Sequence, residues 1–317
     1  MKKAIIALAA VVALAACSKE ETLIADRGDA IGFGTPFVEN STRVDYSTPG
    51  ALTQFNVYGT VTGTAGTVNI YEGVEVTKTK KENDDIGDTG SWWYAAGDAQ
   101  YWIPGASYNF AAIVDATVAT KDTYHMPLTL TTQPDDATEG NMYLKDMLYA
   151  TATASVNAQG TPSANPVNFN FSHLLSKVKF TVTSNAMGGY YHTVTGIAVS
   201  NFETGTYTIA NGTWAGSTAE QVDFAEIAEV TSDDTNGKSN AELLLVPNAA
   251  TFNVTFTVDL YKNGTKLGTE TKTIAVEQDL VKGNSYNFTI ACSVGNPIKF
   301  GVENDPSWTT LPDVAIQ

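Results

Sequence analysis

The chain has 317 residues and a formal net charge of −16. This acidity argues against binding to nucleic acid or to an anionic membrane surface, because both attract positively charged proteins. A chain that is 43% hydrophobic and only 16% charged is not expected to be disordered. Its length exceeds the usual size of one β-sandwich and predicts two domains.

Residues 1–17 have the features of a bacterial lipoprotein signal peptide. Two lysines precede an apolar stretch that is too short to span a bilayer, and small residues then lead to Cys17. We therefore expect Cys17 to become the acylated first residue, although an ordinary secretory signal with an incidental cysteine is the alternative. The segment 17–21, CSKEE, resembles the short acidic export signals of surface lipoproteins in the Bacteroidetes. That resemblance implies an outer membrane lipoprotein exposed at the cell surface.

The segment 18–43 is predicted to be a linker followed by one isolated, removable strand. Ile31, Phe33 and Phe37 alternate onto one face, which is typical of a strand that lies over a core. The two arginines of the chain are Arg27 and Arg43, so an arginine-specific protease could remove this segment and leave the remainder uncut. The alternative is that both arginines lie early in the chain by chance.

Most later segments alternate with a period of two and are rich in Thr, Val, Tyr and Phe, which predicts an all-β fold. Asn263-Gly264 predicts a tight hairpin turn, because both positions accept positive φ angles. Val222 to Val230 is the best candidate for a short helical turn. The proline-punctuated segment 157–166 reads as a linker, which predicts an amino-terminal domain over 44–160 and a carboxyl-terminal domain over 161–317.

The sequence gives little support for an enzyme. The three histidines have no metal-ligand spacing, and no nucleophile, zinc or phosphate-binding motif occurs. Ser172 and His173 are neighbours on a predicted strand, so they face opposite ways and do not form a nucleophile–base pair. We expect no catalytic residue, metal or cofactor. Cys292 lies in an apolar strand and is interpreted as a small buried hydrophobe.

A group of aromatic residues has two possible roles, glycan binding and internal packing. Trp92, Trp93 and Tyr94 lie before a Gly-Asp turn and Tyr101 and Trp102 lie after it, so the two groups are predicted to pair as a hairpin. Outward-facing rings among Trp92, Trp93, Tyr94 and Trp102 could stack on a glycan. The favoured reading is cross-strand aromatic packing.

Several segments, in order, carry a family resemblance. They are 31–33 (IGF) with 41–43 (STR), 101–110 (YWIPGASYNF), 169–180 (FNFSHLLSKVKF), 242–248 (ELLLVPN) and 281–288 (VKGNSYNF). The third is the most specific, because it is similar to the F-x-H-x-L-S-K-V strand of the fimbrillin-like lipoproteins of the Bacteroidetes, the type V pilin group. Together the segments cover nearly the whole chain.

The resemblance implies two tandem β-sandwich domains of the transthyretin-like pilin type. It also implies a structural subunit of a surface fimbria, with other fimbrial subunits as partners. In the better-known pilins of this group an arginine-specific protease removes the first strand, and a strand from another subunit replaces it. Applied to this chain, cleavage would follow Arg43 and polymerisation would proceed by donor-strand exchange.

The donor strand is left open by the sequence. The tail could insert into another subunit with Leu311, Val314 and Ile316 as anchors, or it could complete the second sandwich of its own chain. A second function is also left open: an anchored adhesin or glycan-binding lipoprotein, at a fimbrial tip or base, which recognises a host or bacterial surface receptor and does not polymerise.

Overall fold

The computed structural model describes residues 29–38, 52–83, 85–88, 92–135, 144–202, 204–217, 219–248, 251–305 and 314–316. Within these ranges the fold is almost entirely β, and the helical element is a single 3-10 turn at Ala96–Asp98. The prediction of an all-β fold is confirmed. The described part of the chain has no helix with the length and apolarity needed to cross a membrane. Cys17, Arg27 and Arg43 lie outside the described residues.

Ten strands come from the first part of the chain. They are β1 (Phe37–Val38), β2 (Gln54–Gly63), β3 (Gly66–Thr77), β4 (Ile86–Asp88), β5 (Trp92–Tyr94), β6 (Ser107–Val114), β7 (Ala116–Lys121), β8 (Pro127–Thr132), β9 (Leu148–Ser155) and β10 (Asn170–His173). Eight of them form one sheet in the order β1-β10-β9-β6-β2-β3-β5-β4. β1 runs parallel to β10. The pairs β10-β9, β9-β6, β6-β2 and β2-β3 are antiparallel.

Thirteen strands come from the rest of the described chain. They are β11 (Ser176–Ser184), β12 (Tyr190–Phe202), β13 (Gly205–Thr208), β14 (Thr213–Gly216), β15 (Ala219–Phe224), β16 (Ile227–Val230), β17 (Lys238–Ser239), β18 (Leu243–Leu245), β19 (Phe252–Lys262), β20 (Thr265–Val276), β21 (Ser285–Cys292), β22 (Lys299–Asp305) and β23 (Val314–Ile316). One sheet has the order β17-β11-β21-β22-β23, with β18 also paired to β11. The facing sheet has the order β15-β12-β19-β20, with β16 also paired to β12.

Alternation of apolar and polar residues explains how these two sheets form a sandwich. In β21, every second side chain from Tyr286 to Cys292 is buried. These side chains share a core with Val194 of β12 and Phe256 of β19, which belong to the facing sheet. Two-sheet burial of this kind defines the second of the tandem β-sandwiches that were predicted.

The hydrophobic cores divide later in the chain than the linker suggested. Val167, Phe169 and Phe171 belong to the first core, together with β2 and β6. The second core begins with Val178 of β11. The boundary after residue 160 therefore needs correction, because the chain adds one more strand, β10, to the first sheet before it enters the second sandwich.

A third apolar cluster joins the two halves. It contains residues from both, including Ile113, Met147, Leu175 and Leu244. A small sheet in the order β14-β13-β8-β7 also mixes strands of the two halves. The two cores are therefore connected by packed apolar side chains as well as by the chain itself.

Two local predictions had different outcomes. The hairpin turn at Asn263-Gly264 is confirmed, because both residues have positive φ angles and Lys262 pairs with Thr265. The helical turn over Val222 to Val230 is wrong. That segment forms β15 and β16, which both pair with β12 and contribute to the second core.

Candidate functional site

The segment 29–38 lies in the first core rather than on its surface. Ile31 and Phe33 are 0% and 1% exposed, as the alternation over a core predicts, but Phe37 is 61% exposed. The shared face predicted for Phe37 is therefore wrong. Phe33 pairs with Val167 and Phe37 pairs with Asn170, so the three residues between these pairs in this segment oppose two residues of its neighbour. The extra residue is a bulge, which reverses the side-chain alternation before Phe37.

Both sides of this segment are hydrogen-bonded to the body of the protein. On one side, Gly34 donates its amide to the carbonyl of Val167 (2.9 Å), and Val167 donates to the carbonyl of Gly32 (2.8 Å). On the other side, Ile31 donates to the carbonyl of Gln100 (2.9 Å). The segment therefore occupies a strand-binding cleft, which we define as the space between residues 100–102 and residues 167–170.

Phe33 fills an aromatic pocket at the base of the strand-binding cleft. Five rings surround it, with centroids at 5.5 to 6.5 Å: Phe55, Tyr71, Tyr94, Phe110 and Phe169. Most of these contacts are edge-to-face, which is a favourable arrangement for aromatic pairs. Burial of one such side chain stabilises a fold by several kcal/mol. Phe33 is thus the main apolar anchor of the segment.

Tyr94 fixes the backbone of the same segment. Its hydroxyl donates to the carbonyl of Ile31 at 2.7 Å, in a buried position. Burial raises the pKa of Tyr94 from its ordinary value of 10.0 to about 12, so the hydroxyl stays protonated and able to donate well above neutral pH. The sequence did not single out this role, because it depends on the approach of two segments that lie 63 residues apart.

The proposed glycan-stacking rings do not form an exposed platform. Trp92, Tyr94 and Trp102 are all buried, which agrees with the packing interpretation and removes them as surfaces for a sugar. Trp93 is half-buried, and the Nζ atom of Lys80 lies 4.7 Å from its ring centroid. Three of the four rings instead contribute to the core that surrounds the cleft.

The hairpin expected from these aromatic residues does not form. Strand β5 pairs with β3 and β4, whereas Tyr101 makes an antiparallel bridge with Ala30. The 3-10 turn at Ala96–Asp98 follows β5, and residues 100–102 after it pair with the segment 29–38. That segment takes the pairing position which the sequence had assigned to β5.

The carboxyl-terminal tail pairs within its own chain in this structure. Val314 and Ile316 lie in β23, which pairs antiparallel with β22 at the edge of the second sandwich. This arrangement is the alternative that was left open for the tail. Leu311 lies outside the described residues.

Other residues of the motifs discussed above either contact a charged neighbour or are buried. His173 contacts Asp146, with 2.9 Å between Nδ1 and Oδ1, and Lys177 forms an ion pair with Glu242 at 3.2 Å. Cys292 is buried, and burial raises the pKa of its thiol to about 12. Among the described residues, no cluster of His, Cys, Asp and Glu could hold a metal ion.

Comparison with known proteins places this architecture in a family. A search of curated protein sequences found no match. The chain is similar to the crystal structure of a fimbrial protein from Bacteroides vulgatus, with a TM-score of 0.60 and 16% identity over 90% of this chain and 100% of that one. It is also similar to a candidate cell adhesion protein from Bacteroides ovatus, with a TM-score of 0.52 and 15% identity over 92% and 98% of the two chains. The fimbrillin-like family model matches residues 42–305, and the chain therefore belongs to the fimbrillin-like family.

Proposed function

We propose that this protein is a structural subunit of a cell-surface fimbria that polymerises by donor-strand exchange. In this proposal it is exported as an outer membrane lipoprotein acylated at Cys17 and is then cleaved after Arg43. The observation that carries the proposal is the position of residues 29–38, a separate strand that completes the first core between two backbone edges. Membership of a fimbrial family supports the same role.

Cleavage after Arg43 would leave the strand held only by non-covalent contacts. Arg43 lies five residues beyond Val38, so the cut would fall outside the paired part of the segment. Departure of the strand would expose an aromatic pocket and leave the backbone groups of Val167 and Gln100 without their present partners. Each of these losses is costly. A strand from another subunit would restore both the pairing and the apolar contact.

The tail is the donor that we propose within this chain. Val314 and Ile316 are two residues apart, as Ile31 and Phe33 are, so they would face the same side of an inserted strand. Leu311 would lie ahead of them as a further anchor. Among the described strands, β23 pairs with β22 and with no second neighbour, which is compatible with release of the tail from its own chain.

Partners and location follow from this proposal. Other fimbrial subunits, identical or minor, are the direct partners, and the lipid at Cys17 attaches the unprocessed protein to the outer membrane. After cleavage the lipidated segment is lost and the subunit belongs to the fimbrium. The competing glycan-binding function gains no support from the aromatic rings first considered for it, because three of them are buried.

The test is intact-mass analysis and amino-terminal sequencing of the protein on native cells, before and after treatment with an arginine-specific protease. We expect a mature chain that begins at Val44, together with a ladder of multimers. In the Arg43→Gln variant the protease can cut only after Arg27, so the strand stays attached and multimers do not form. The matched variant Arg27→Gln should polymerise normally. A wild-type chain that keeps acylated Cys17 and gives no multimers after treatment would overturn the proposal.

A further inference from the structure

The outer side of the strand-binding cleft is closed by a short loop that includes Asn165, Pro166 and Asn168. The side chain of Asn165 accepts a hydrogen bond from the amide of Gly32 at 3.1 Å. A Cβ atom added to Gly34 would overlap Oδ1 of Asn168 and would lie 3.0 Å from Cγ of Pro166. The strand is therefore enclosed between the aromatic core on one side and this loop on the other.

The need for glycine at position 34 comes from space rather than from backbone conformation. Gly34 is not among the glycines with positive φ, so its backbone is accessible to other residues. Glycine within a strand is normally unfavourable, because it loses more conformational freedom and packs no side chain. A larger residue at this position would be favoured if the loop were open.

We infer that Asn168, supported by Pro166, determines which strand the cleft accepts. It favours an occupant with glycine at the position of Gly34, directly after a large apolar residue at the position of Phe33. This inference rests on the proposed function, since it concerns the same cleft. In this role Asn168 selects between candidate strands and thereby holds the segment 29–38 in place before exchange.

The two candidate strands of this chain differ in how they meet this restriction. The segment 29–38 carries glycine at both outward positions beside its two apolar anchors. If Val314 and Ile316 of another subunit occupied the sites of Ile31 and Phe33, Gln317 would stand at the position of Gly34. Asn168 is exposed, so its side chain has room to rotate outward and admit the tail, whereas the ring of Pro166 is fixed. Asn168 therefore favours the original strand over the tail.

A double-mutant cycle on the unprocessed chain tests the restriction. We expect Gly34→Val to lower the Tm by about 4 °C, because the new side chain meets Asn168 and Pro166. The matched control is Gly268→Val in β20, where an added Cβ meets nothing within 4 Å and the β-branched residue should leave the Tm unchanged or raise it. Asn168→Ala should recover at least half of the Tm lost in Gly34→Val. An equal loss of Tm with and without Asn168 would overturn the inference.

The cycle separates this inference from the proposed function. It measures the stability of the unprocessed monomer and does not require polymerisation. If the Tm changes at Gly34 and Asn168 are coupled but no multimers form after protease treatment, the proposed function is overturned. The inferred preference of Asn168 for glycine at position 34 would still hold. When wild-type multimers do form, Asn168→Ala should raise their initial rate of formation severalfold, because the loop then admits the tail more readily. An unchanged rate would contradict selection by Asn168.

Discussion

The segment 29–38 and strand β23 both lie towards an end of the chain, but they are attached to the protein in different ways. The segment 29–38 is hydrogen-bonded on both sides and buries Ile31 and Phe33 in the first core. Within the described part of the chain, strand β23 pairs through three residues with β22 alone, at the edge of a sheet. A strand paired on both sides leaves two backbone edges without partners when it departs, whereas a strand at an edge leaves one. The first should thus be costly to lose, and the second should be detachable.

Replacement of Phe33 gives the largest expected effect. Phe33→Ala removes a buried ring from contact with five others and should lower the free energy of unfolding by about 3–5 kcal/mol. The matched control is Phe37→Ala, four residues away and 61% exposed, for which we expect a change within about 0.5 kcal/mol. Denaturant unfolding of both variants measures the difference. Equal effects would mean that the segment is not integrated into the core as described.

High pH should weaken the same region. Burial raises the pKa of Tyr94 from an ordinary value of 10.0 to about 12, so between these values the unfolded state has lost this proton and the folded state keeps it. The free energy of unfolding therefore falls as pH rises from 10 to 12, by at most about 2–3 kcal/mol for this group, since one pKa unit corresponds to about 1.4 kcal/mol. Below pH 10 this contribution is fully present. Denaturant unfolding at several pH values should show a shallower decline in Tyr94→Phe than in the wild type.

Tyr94→Phe also tests the backbone contact at neutral pH. Loss of the hydroxyl leaves the buried carbonyl of Ile31 without this donor and should lower the free energy of unfolding by about 1–2 kcal/mol. Tyr124, which is 42% exposed, provides the control, and Tyr124→Phe should change little. If the two substitutions have the same effect, the hydroxyl of Tyr94 does not stabilise the segment.

The sequence predicted the all-β fold, the separate early strand and the apolar anchors Ile31 and Phe33, because all three depend on local alternation. It did not predict the exposure of Phe37, which results from a bulge against residues 167–170. A bulge arises from the pairing of two strands, so the sequence of one strand alone does not locate it.

The aromatic residues and the domain boundary show the same limit. The order of Trp92 to Trp102 along the chain suggested a hairpin, but a third segment, 29–31, pairs with residues 100–102 instead. The composition of residues 157–166 is that of a linker, yet the chain returns to the first core at Val167. Both results depend on contacts between distant segments. The alternation of Val167, Phe169 and Phe171 was the available signal for an additional strand in the first sheet.

Deletion of residues 306–317, which removes β23, gives the smallest expected effect on stability. It tests whether β23 is less firmly attached than the segment 29–38. Three paired residues at an edge should contribute about 1 kcal/mol or less, because ordering the tail offsets most of its backbone hydrogen bonds. Cys292 provides a second measurement in a chain without the leader cysteine. Its buried thiol, with a pKa raised to about 12, should stay unreactive to a thiol reagent at pH 8 in both the full and the shortened chain. Rapid labelling of Cys292 after the deletion would show that β23 is an integral part of the second sandwich, and so would a loss of stability as large as that of Phe33→Ala. A tail bound so firmly would be a poor donor for another subunit.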